Sequence, residues 1–346
     1  MRQPAATIDT RAAARARERQ SQLTKPGGSL ARLEDLAVVL AGMQGTERPR
    51  ADKVHVVVYA ADHGVAAERV SAFPQSVTQQ MVKNIAGGGA AISVLAAETG
   101  ATLEIIDVGT LQEGAVPAGV IDERAGRGTA NLAATAAMTS VQLAAALDAG
   151  RAAVERATTA GTQLFIGGEM GIGNTTAAAA LACGLLAAPV GALVGPGTGL
   201  DQAGMARKAG VISRALQLHG KYLDDPLEAL RRLGGFEIAA LAGACTTCAR
   251  NGVPTLIDGF IASVAALVSA RTCPGAGEWF LYAHRSAEPG HAKVLEALRA
   301  KPLLDLGMRL GEGTGALAAL PLIRLACALH ANMATFDEAG VSTADG

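Results

Sequence analysis

Residues 162–180, TQLFIGGEMGIGNTTAAAA, decide how this chain is to be read. Thr162 to Ile166 has the Leu, Phe and Ile content of a buried strand, and Gly167 and Gly168 are read as its end. Gly171, Gly173 and Asn174 permit tight or left-handed backbone, and a helix opens at Asn174 or Thr175. The first-turn N–H groups of such a helix lack intrahelical partners, and glycine lets an anion approach them, so the turn is suited to cradling a phosphate. Glu169 stands inside that turn. A helix cap does not require a carboxylate there. A Gly-x-Gly by itself is equally compatible with an ordinary strand-to-helix turn, so the reading depends on what surrounds it.

Upstream, Val54 to Ala60 is the β-branched apolar run of a central parallel strand, both of whose faces must be covered. Asp62-His63-Gly64 follows at its carboxyl end, where open α/β sheets bind ligands. Further strands are expected at Thr102–Val108, Ala192–Val194, Thr255–Ile257 and Glu278–Tyr282, with helical patterns between them. That alternation predicts an α/β fold with a parallel sheet and right-handed crossovers. Residues 11–45 read as helix, turn, helix, standing apart from the sheet. Gln75 to Glu98 is helical but broken by Gly87-Gly88-Gly89, and Ala130 to Ala160 is Ala-rich and helical. The last helical stretch, Leu317 to Thr335, carries Pro321, where a kink is expected, and can pack on the N-terminal helices.

Composition narrows the function. The 346 residues are 50% hydrophobic but only 3% aromatic, with 42 glycines, which implies helices packed closely through Ala and Gly. A net charge of -1 and few aromatics argue against a nucleic-acid surface. The N-terminal stretch has no apolar segment of a secretory signal, and apolar runs such as Ile257 to Ala270 fall short of a membrane span and include Asp258. Five scattered cysteines suit a reducing compartment, so a cytoplasmic protein is expected. Cys245 and Cys248 have redox or zinc half-site spacing but fall within one helical run with no second pair, so they read as buried structural thiols. His284 and His291 flank a turn and carry no further metal-ligand pattern.

Two more glycine turns resemble the first: Gly195-Pro196-Gly197-Thr198-Gly199 and Gly311-Glu312-Gly313-Thr314-Gly315. Each precedes a helical pattern, so three helix N-termini can converge on one anionic ligand if the strands lie side by side. None carries a dinucleotide fingerprint or the Gly-Lys-Ser/Thr of a P-loop, which weighs against a nicotinamide oxidoreductase and an ATPase. Glu312, with glycine on both sides, is the candidate base: it has room to reach a ligand, and apolar neighbours such as Leu310 and Leu317 can raise its proton affinity, although the motif alone also reads as an exposed turn glutamate. Lys208, in the helix after the second turn, offers a cation for a carboxylate or phosphate, although a lone residue there reads first as a solvated helix lysine.

The segments QLTKPGGSLARLEDLA (22–37), AADHGVAAERVSAFPQSVTQQMV (60–82), GGGAAISVLA (87–96), GGEMGIGNTTAAAAL (167–181), GPGTGLD (195–201), AHRSAEPGH (283–291), LLDLGMRLGEGTGA (303–316) and MATFDEAGVS (333–342) are long and unusual. Together they resemble the nicotinate-nucleotide:dimethylbenzimidazole phosphoribosyltransferase family, nearly end to end. The resemblance implies a Rossmann-like parallel sheet domain over 49–316 and a small helical domain built from 1–48 with 317–346. It also implies a homodimer without cofactor or metal, acting on nicotinate mononucleotide and 5,6-dimethylbenzimidazole. By position, Glu312 matches the family's catalytic base and Glu169 a second active-site acid. Gly171, Gly197 and Thr198 match the phosphate cradle, with Lys208 near the nicotinate or phosphate, and Asn174 and Gly311 are further substrate-binding positions. Gln75, Ser76 and Gln79 fall where the benzimidazole is expected. Pro196 stands where a basic residue is expected, and KPGGS replaces the more common KPPGS. A nucleotide-binding sensor without turnover is the competing reading, and the intact Glu169 and Glu312 weigh against it.

Overall fold

A computed structural model describes residues 1–342. Helices α1 (Thr10–Gln22) and α2 (Arg32–Gln44) come first, then strand β1 (Val54–Ala61). The glycine triplet divides the next apolar run into α3 (Ser76–Ala86) and α4 (Ala91–Thr99). β2 (Thr102–Gly109), β3 (Val120–Asp122), α5 (Ser140–Thr159) and β4 (Leu164–Met170) follow. The chain continues through α6 (Asn174–Leu186), α7 (Gln202–His219), α8 (Pro226–Leu233), α9 (Phe236–Asn251), β5 (Thr255–Ile257) and α10 (Phe260–Thr272). It closes with β6 (Phe280–Tyr282), α11 (Gly290–Ala297), α12 (Thr314–Asn332) and α13 (Phe336–Ala339).

The six strands run in the order β3-β2-β1-β4-β5-β6, and every pairing is parallel. This is the doubly wound order, with its switch point between β1 and β4, the central strands. All eight residues of β1 are buried, as its unbroken β-branched run demands. Its side chains alternate between two cores. Val57, Tyr59 and Ala61 join Phe165 and the inner faces of α5 and α9, while Val56, Val58 and Ala60 join Ile166, Leu40, Ile92 and Leu320. Helices α2, α4 and α12 thus cover one face, and α5 and α9 the other.

Small residues set how closely these layers approach. A Cβ at Gly150 of α5 would overlap the Ala240 carbonyl of α9, and one at Gly243 would overlap the Leu147 carbonyl of α5. The two helices touch backbone to backbone, the packing that an Ala- and Gly-rich composition permits.

The structure corrects several boundaries. Residues 192–194 form no strand; Val190–Ala192 is a 3₁₀ turn, because Pro189 and Gly191 punctuate a run too short to pair. β3 was not foreseen, since three residues between Gly119 and a loop carry no periodic signal, yet it pairs Ile105–Asp107 of β2. The last strand starts at Phe280, after a 3₁₀ turn at Ala276–Trp279. The helix expected over 130–160 begins only at Ser140, where Thr139 and Gln142 form a reciprocal capping box. α12 starts at Thr314 and continues through Pro321. It is long and apolar enough to cross a membrane, but 56% of that window is buried against the rest of the chain. The final residues of the helical domain expected over 317–346, namely 343–346, lie outside the described residues.

Candidate active site

A cavity of about 480 Å³ opens at the carboxyl ends of β4, β5 and β6. Glu169 and Met170 bring the end of β4 to it, Asp258 to Phe260 the turn after β5, and His284 and Ser286 the segment after β6. The loops at Gly197–Thr198 and Arg309–Gly311 complete the wall. All three glycine turns therefore meet around one space, on the side of the sheet's switch point where ligands of open α/β sheets bind.

Gly167 and Gly168 do not end β4; the strand runs through them to Met170, so Glu169 is a strand residue rather than part of the turn. They are glycines because both faces are crowded. A Cβ at 167 would stand 2.5 Å from Leu241 of α9, and one at 168 would overlap the Glu312 carbonyl. The Gly311-Glu312-Gly313 turn thus lies directly on the end of β4, and Gly311 abuts the Glu169 carboxylate. All three turn residues are left-handed, with φ of 87°, 62° and 91°. For Glu312 that conformation costs on the order of 1–3 kcal/mol and persists only where surrounding contacts enforce it.

Asp258 meets the first turn of the helix that follows. Gly313, the N-cap of α12, has no side chain, and Asp258 Oδ1 accepts the Ala316 N–H at 2.7 Å in its place. Burial pushes the Asp258 carboxyl up to about 7, against the pull of the α12 backbone N–H groups. Burial also raises Glu312, which is 3% exposed, with Oε2 lacking a hydrogen-bond partner among the described residues. Of the two apolar neighbours expected to desolvate it, Leu310 is 59% exposed and Leu317 is fully buried. Glu169 is driven well above the ordinary carboxylate range, first by burial and then by the charges of Glu237, Asp258 and Glu312. A carboxyl biased toward its protonated form by burial and by neighbouring carboxylates thus stands beside a candidate base. That is the arrangement by which two carboxyls divide acid and base roles.

The first glycine turn leads into α6, whose N-cap Gly173 is left-handed at φ 101° and leaves the helix without a side-chain cap. Asn174 donates its amide to the Glu169 carboxylate. Beneath the turn, His63 Nε2 meets Glu237 Oε1 at 2.6 Å, fully buried. Burial opposes the His63 charge, but Glu237 outweighs it and raises the His63 pKa. Of the three helices that follow the glycine turns, only this one presents an uncapped start. α7 is capped by its own Asp201, which accepts the Gly204 N–H at 2.8 Å, and α12 by Asp258, so three open N-termini do not converge.

At the second turn, Gly197 donates its N–H to Glu288 at 3.0 Å, and its carbonyl accepts from Arg309 at 2.7 Å. Thr198 bonds Ser71 at 3.0 Å and the Ala72 N–H at 3.1 Å, tying this loop to the 71–73 segment. Lys208 is not a solvated helix lysine. It is fully buried behind the wall, where Nζ donates to Thr175 Oγ1 at 2.9 Å and the Gly195 carbonyl at 3.2 Å. Burial lowers its pKa to about 8, with Glu288 opposing.

Of the residues singled out in the sequence, Glu169, Gly171, Asn174, Gly197, Thr198 and Gly311 line the cavity. Glu312 sits immediately behind Gly311. Gln75 gives its amide to the His63 carbonyl at 3.0 Å, Ser76 opens α3 in an exposed position, and Gln79 is half-buried. From that segment it is Phe73 that lines the cavity. Asp258, His284, Ser286, Glu288 and Arg309 also line it. Sequence reasoning gave them no role; Asp258 stood out only as a charge in an apolar run, the signal that could have found it. His291 is structural: Nδ1 accepts the Ser286 N–H at 2.8 Å and Nε2 meets Ser263 at 2.9 Å. Cys245 and Cys248 are buried in α9 as free thiols.

A doubly wound sheet with an acidic, glycine-walled cavity at its carboxyl edge defines an α/β enzyme, and the family model described as phosphoribosyltransferase matches residues 5–341. A protein of Pseudomonas putida (strain W619) named nicotinate-nucleotide–dimethylbenzimidazole phosphoribosyltransferase is 60% identical over 335 residues, covering 97% of this chain and 95% of that one. One of the same name from Pseudomonas aeruginosa (strain UCBPP-PA14) is 61% identical over 95% of this chain and 93% of its own. The crystal structure of the Thermus thermophilus enzyme of that name superposes with a TM-score of 0.91 at 45% identity, covering 97% of this chain and all of the other. The chain belongs to the nicotinate-nucleotide–dimethylbenzimidazole phosphoribosyltransferase family.

Proposed function

We propose that this enzyme transfers the ribose 5-phosphate of nicotinate mononucleotide to 5,6-dimethylbenzimidazole. The products are α-ribazole 5′-phosphate and nicotinate, for assembly of the cobalamin nucleotide loop, and Glu312 is the general base. The observation that carries the reading is the cavity where the three glycine turns meet, in a chain so similar over its whole length to relatives of that name. The 5′-phosphate is read toward Gly171, Asn174, Gly197 and Thr198, with Lys208 behind them. The benzimidazole is read on the side of Gly311 and the 75–79 segment, where Phe73 and Leu310 present apolar surface to the cavity.

The chemistry asks for a base more than for an acid. In nicotinate mononucleotide the glycosidic nitrogen is cationic, so it leaves neutral and needs no protonation. As one benzimidazole nitrogen attacks the anomeric carbon, the other must lose its proton, and a desolvated Glu312 is suited to accept it. Attack opposite the departing nicotinate converts a β-nucleotide into an α-product. Holding two planar bases on either side of one ribose supplies much of the remaining rate. Glu169, biased toward its protonated form and beside the turn, suits a hydrogen bond to the substrate. The family resemblance supports a cytoplasmic homodimer.

Incubation with nicotinate mononucleotide and a panel of benzimidazoles, purines and phenols, with products identified by mass spectrometry, tests the reading. An α-ribazole 5′-phosphate product with stoichiometric nicotinate is expected. Binding of the nucleotide with no transfer to any base would instead favour the sensor, and reduction of NAD by an alcohol or hydroxy acid would favour a dehydrogenase.

A further inference from the structure

The first turn of α12 has a problem that its own sequence does not solve. An α-helix leaves its first four N–H groups without partners, and the usual remedy is a side-chain oxygen from the N-cap bonded to the second or third helical N–H. Here the N-cap is Gly313, which has no side chain. The bond an N-cap would make to the third helical residue, Ala316, is made instead by Asp258, from the turn between β5 and α10. Asp258 is 58 residues distant in the chain and 4% exposed.

That cap closes a turn held from two other sides. The Glu312 carbonyl lies on Gly168 of β4, and Thr314 Oγ1 donates to the Gly311 carbonyl at 2.8 Å. Gly168 acts only as a floor: it prevents collision but exerts no pull. Asp258 is a polar side chain bonded from another element to the backbone that follows Glu312, its oxygen accepting at the positive end of the helix dipole. A left-handed glutamate between two left-handed glycines relaxes unless its surroundings hold it.

We propose that Asp258 is the positioning residue for Glu312: by capping α12 from a neighbouring strand's turn, it holds the left-handed Glu312 turn where the base must stand. The proposal rests on Glu312 being the base. Asp258 acts through the placement of Glu312 and not on the reacting atoms. The cap requires one acceptor oxygen, which asparagine retains and alanine does not.

Steady-state kinetics of the full-length enzyme with nicotinate mononucleotide and 5,6-dimethylbenzimidazole tests this with four proteins besides wild type. Asp258→Ala should lower kcat by roughly 10²-fold, the scale of an ångström-level misplacement, with KM for the nucleotide within about threefold of wild type. Asp258→Asn should recover most of that loss. The double variant Asp258→Ala/Glu312→Gln should be no slower than Glu312→Gln alone, because a displaced base and an absent base are one defect. If Asp258→Ala does not fold, Asp258→Ser, whose hydroxyl is too short to reach Ala316, replaces it in the same comparisons. Wild-type kcat in the Ala or Ser variant overturns the proposal. So do losses that multiply in the double variant, or a loss confined to KM. Glu312→Gln with near-normal turnover overturns the base assignment itself, whatever Asp258 does.

Discussion

Glu312 and Glu169 are two buried carboxyls on abutting segments, to which the proposed mechanism gives different tasks. If Glu312 takes the benzimidazole proton, Glu312→Gln keeps shape and removes the base, so kcat should fall by roughly 10²- to 10⁴-fold while nucleotide binding by calorimetry changes little. Because burial raises Glu312, wild-type kcat should climb with pH through a limb above the ordinary carboxylate range, and that limb should vanish in the Gln variant. Glu169 carries a second, separable prediction. Its folded-state pKa lies above the unfolded value, so the folded chain holds the proton more tightly. The resulting stabilisation is complete below the unfolded pKa and is lost as pH rises through the folded one. Urea unfolding across that window should show wild type losing stability relative to Glu169→Gln as pH increases. Parallel pH dependences for the two proteins would mean that folding does not shift the Glu169 carboxyl. The glycine pair before Glu169 also changes meaning at this scale. Read from sequence, Gly167 and Gly168 marked a strand end; in space they are strand residues stripped of side chains so that α9 and the Glu312 turn can lie on either side.

Among the elements, the α5–α9 pair bears most directly on stability. Gly150 and Gly243 bring the two backbones together, and thirteen residues of α9 are buried. Gly150→Val places branched carbons where the Ala240 carbonyl already stands, and should destabilise by about 1–3 kcal/mol or more through overpacking. Chemical denaturation would register it as a lower midpoint at an unchanged slope. An unchanged midpoint would mean that the helices separate at little cost. The same pair positions the site at a distance. α9 starts with Phe236 and Glu237, and Glu237 holds His63 beneath the first glycine turn, so a shift of α9 moves the floor of that turn. The helix-forming pattern of α9 was legible because its apolar run is long. Its partner was not, since close backbone contact leaves no mark beyond glycines that are abundant throughout this chain.

For the molecule as a whole, the reading as a homodimer predicts a light-scattering mass about twice 34.8 kDa at working concentrations. A fully active monomer would refute it. The reaction expels a leaving group that is neutral at nitrogen and asks for no Lewis acid, so activity should survive exhaustive treatment with chelators. Activity lost on chelation and restored only by an added divalent metal would overturn that account.

By itself the sequence determined the parallel α/β architecture, because a β-branched run such as Val54–Ala60 is buried on both faces only in a helix-covered sheet. It also determined where the glycine turns lie, since left-handed and crowded backbone admits little else, and the two glutamates beside them. Tertiary structure alone decided that these turns share one cavity, through a strand order that sets β4, β5 and β6 side by side. It decided that Lys208 is buried and that Asp258 caps a helix 58 residues away. The physical reason is common to all of these. Strand and helix signals arise from neighbours along the chain, whereas desolvation, capping across elements and charge coupling depend on neighbours in space.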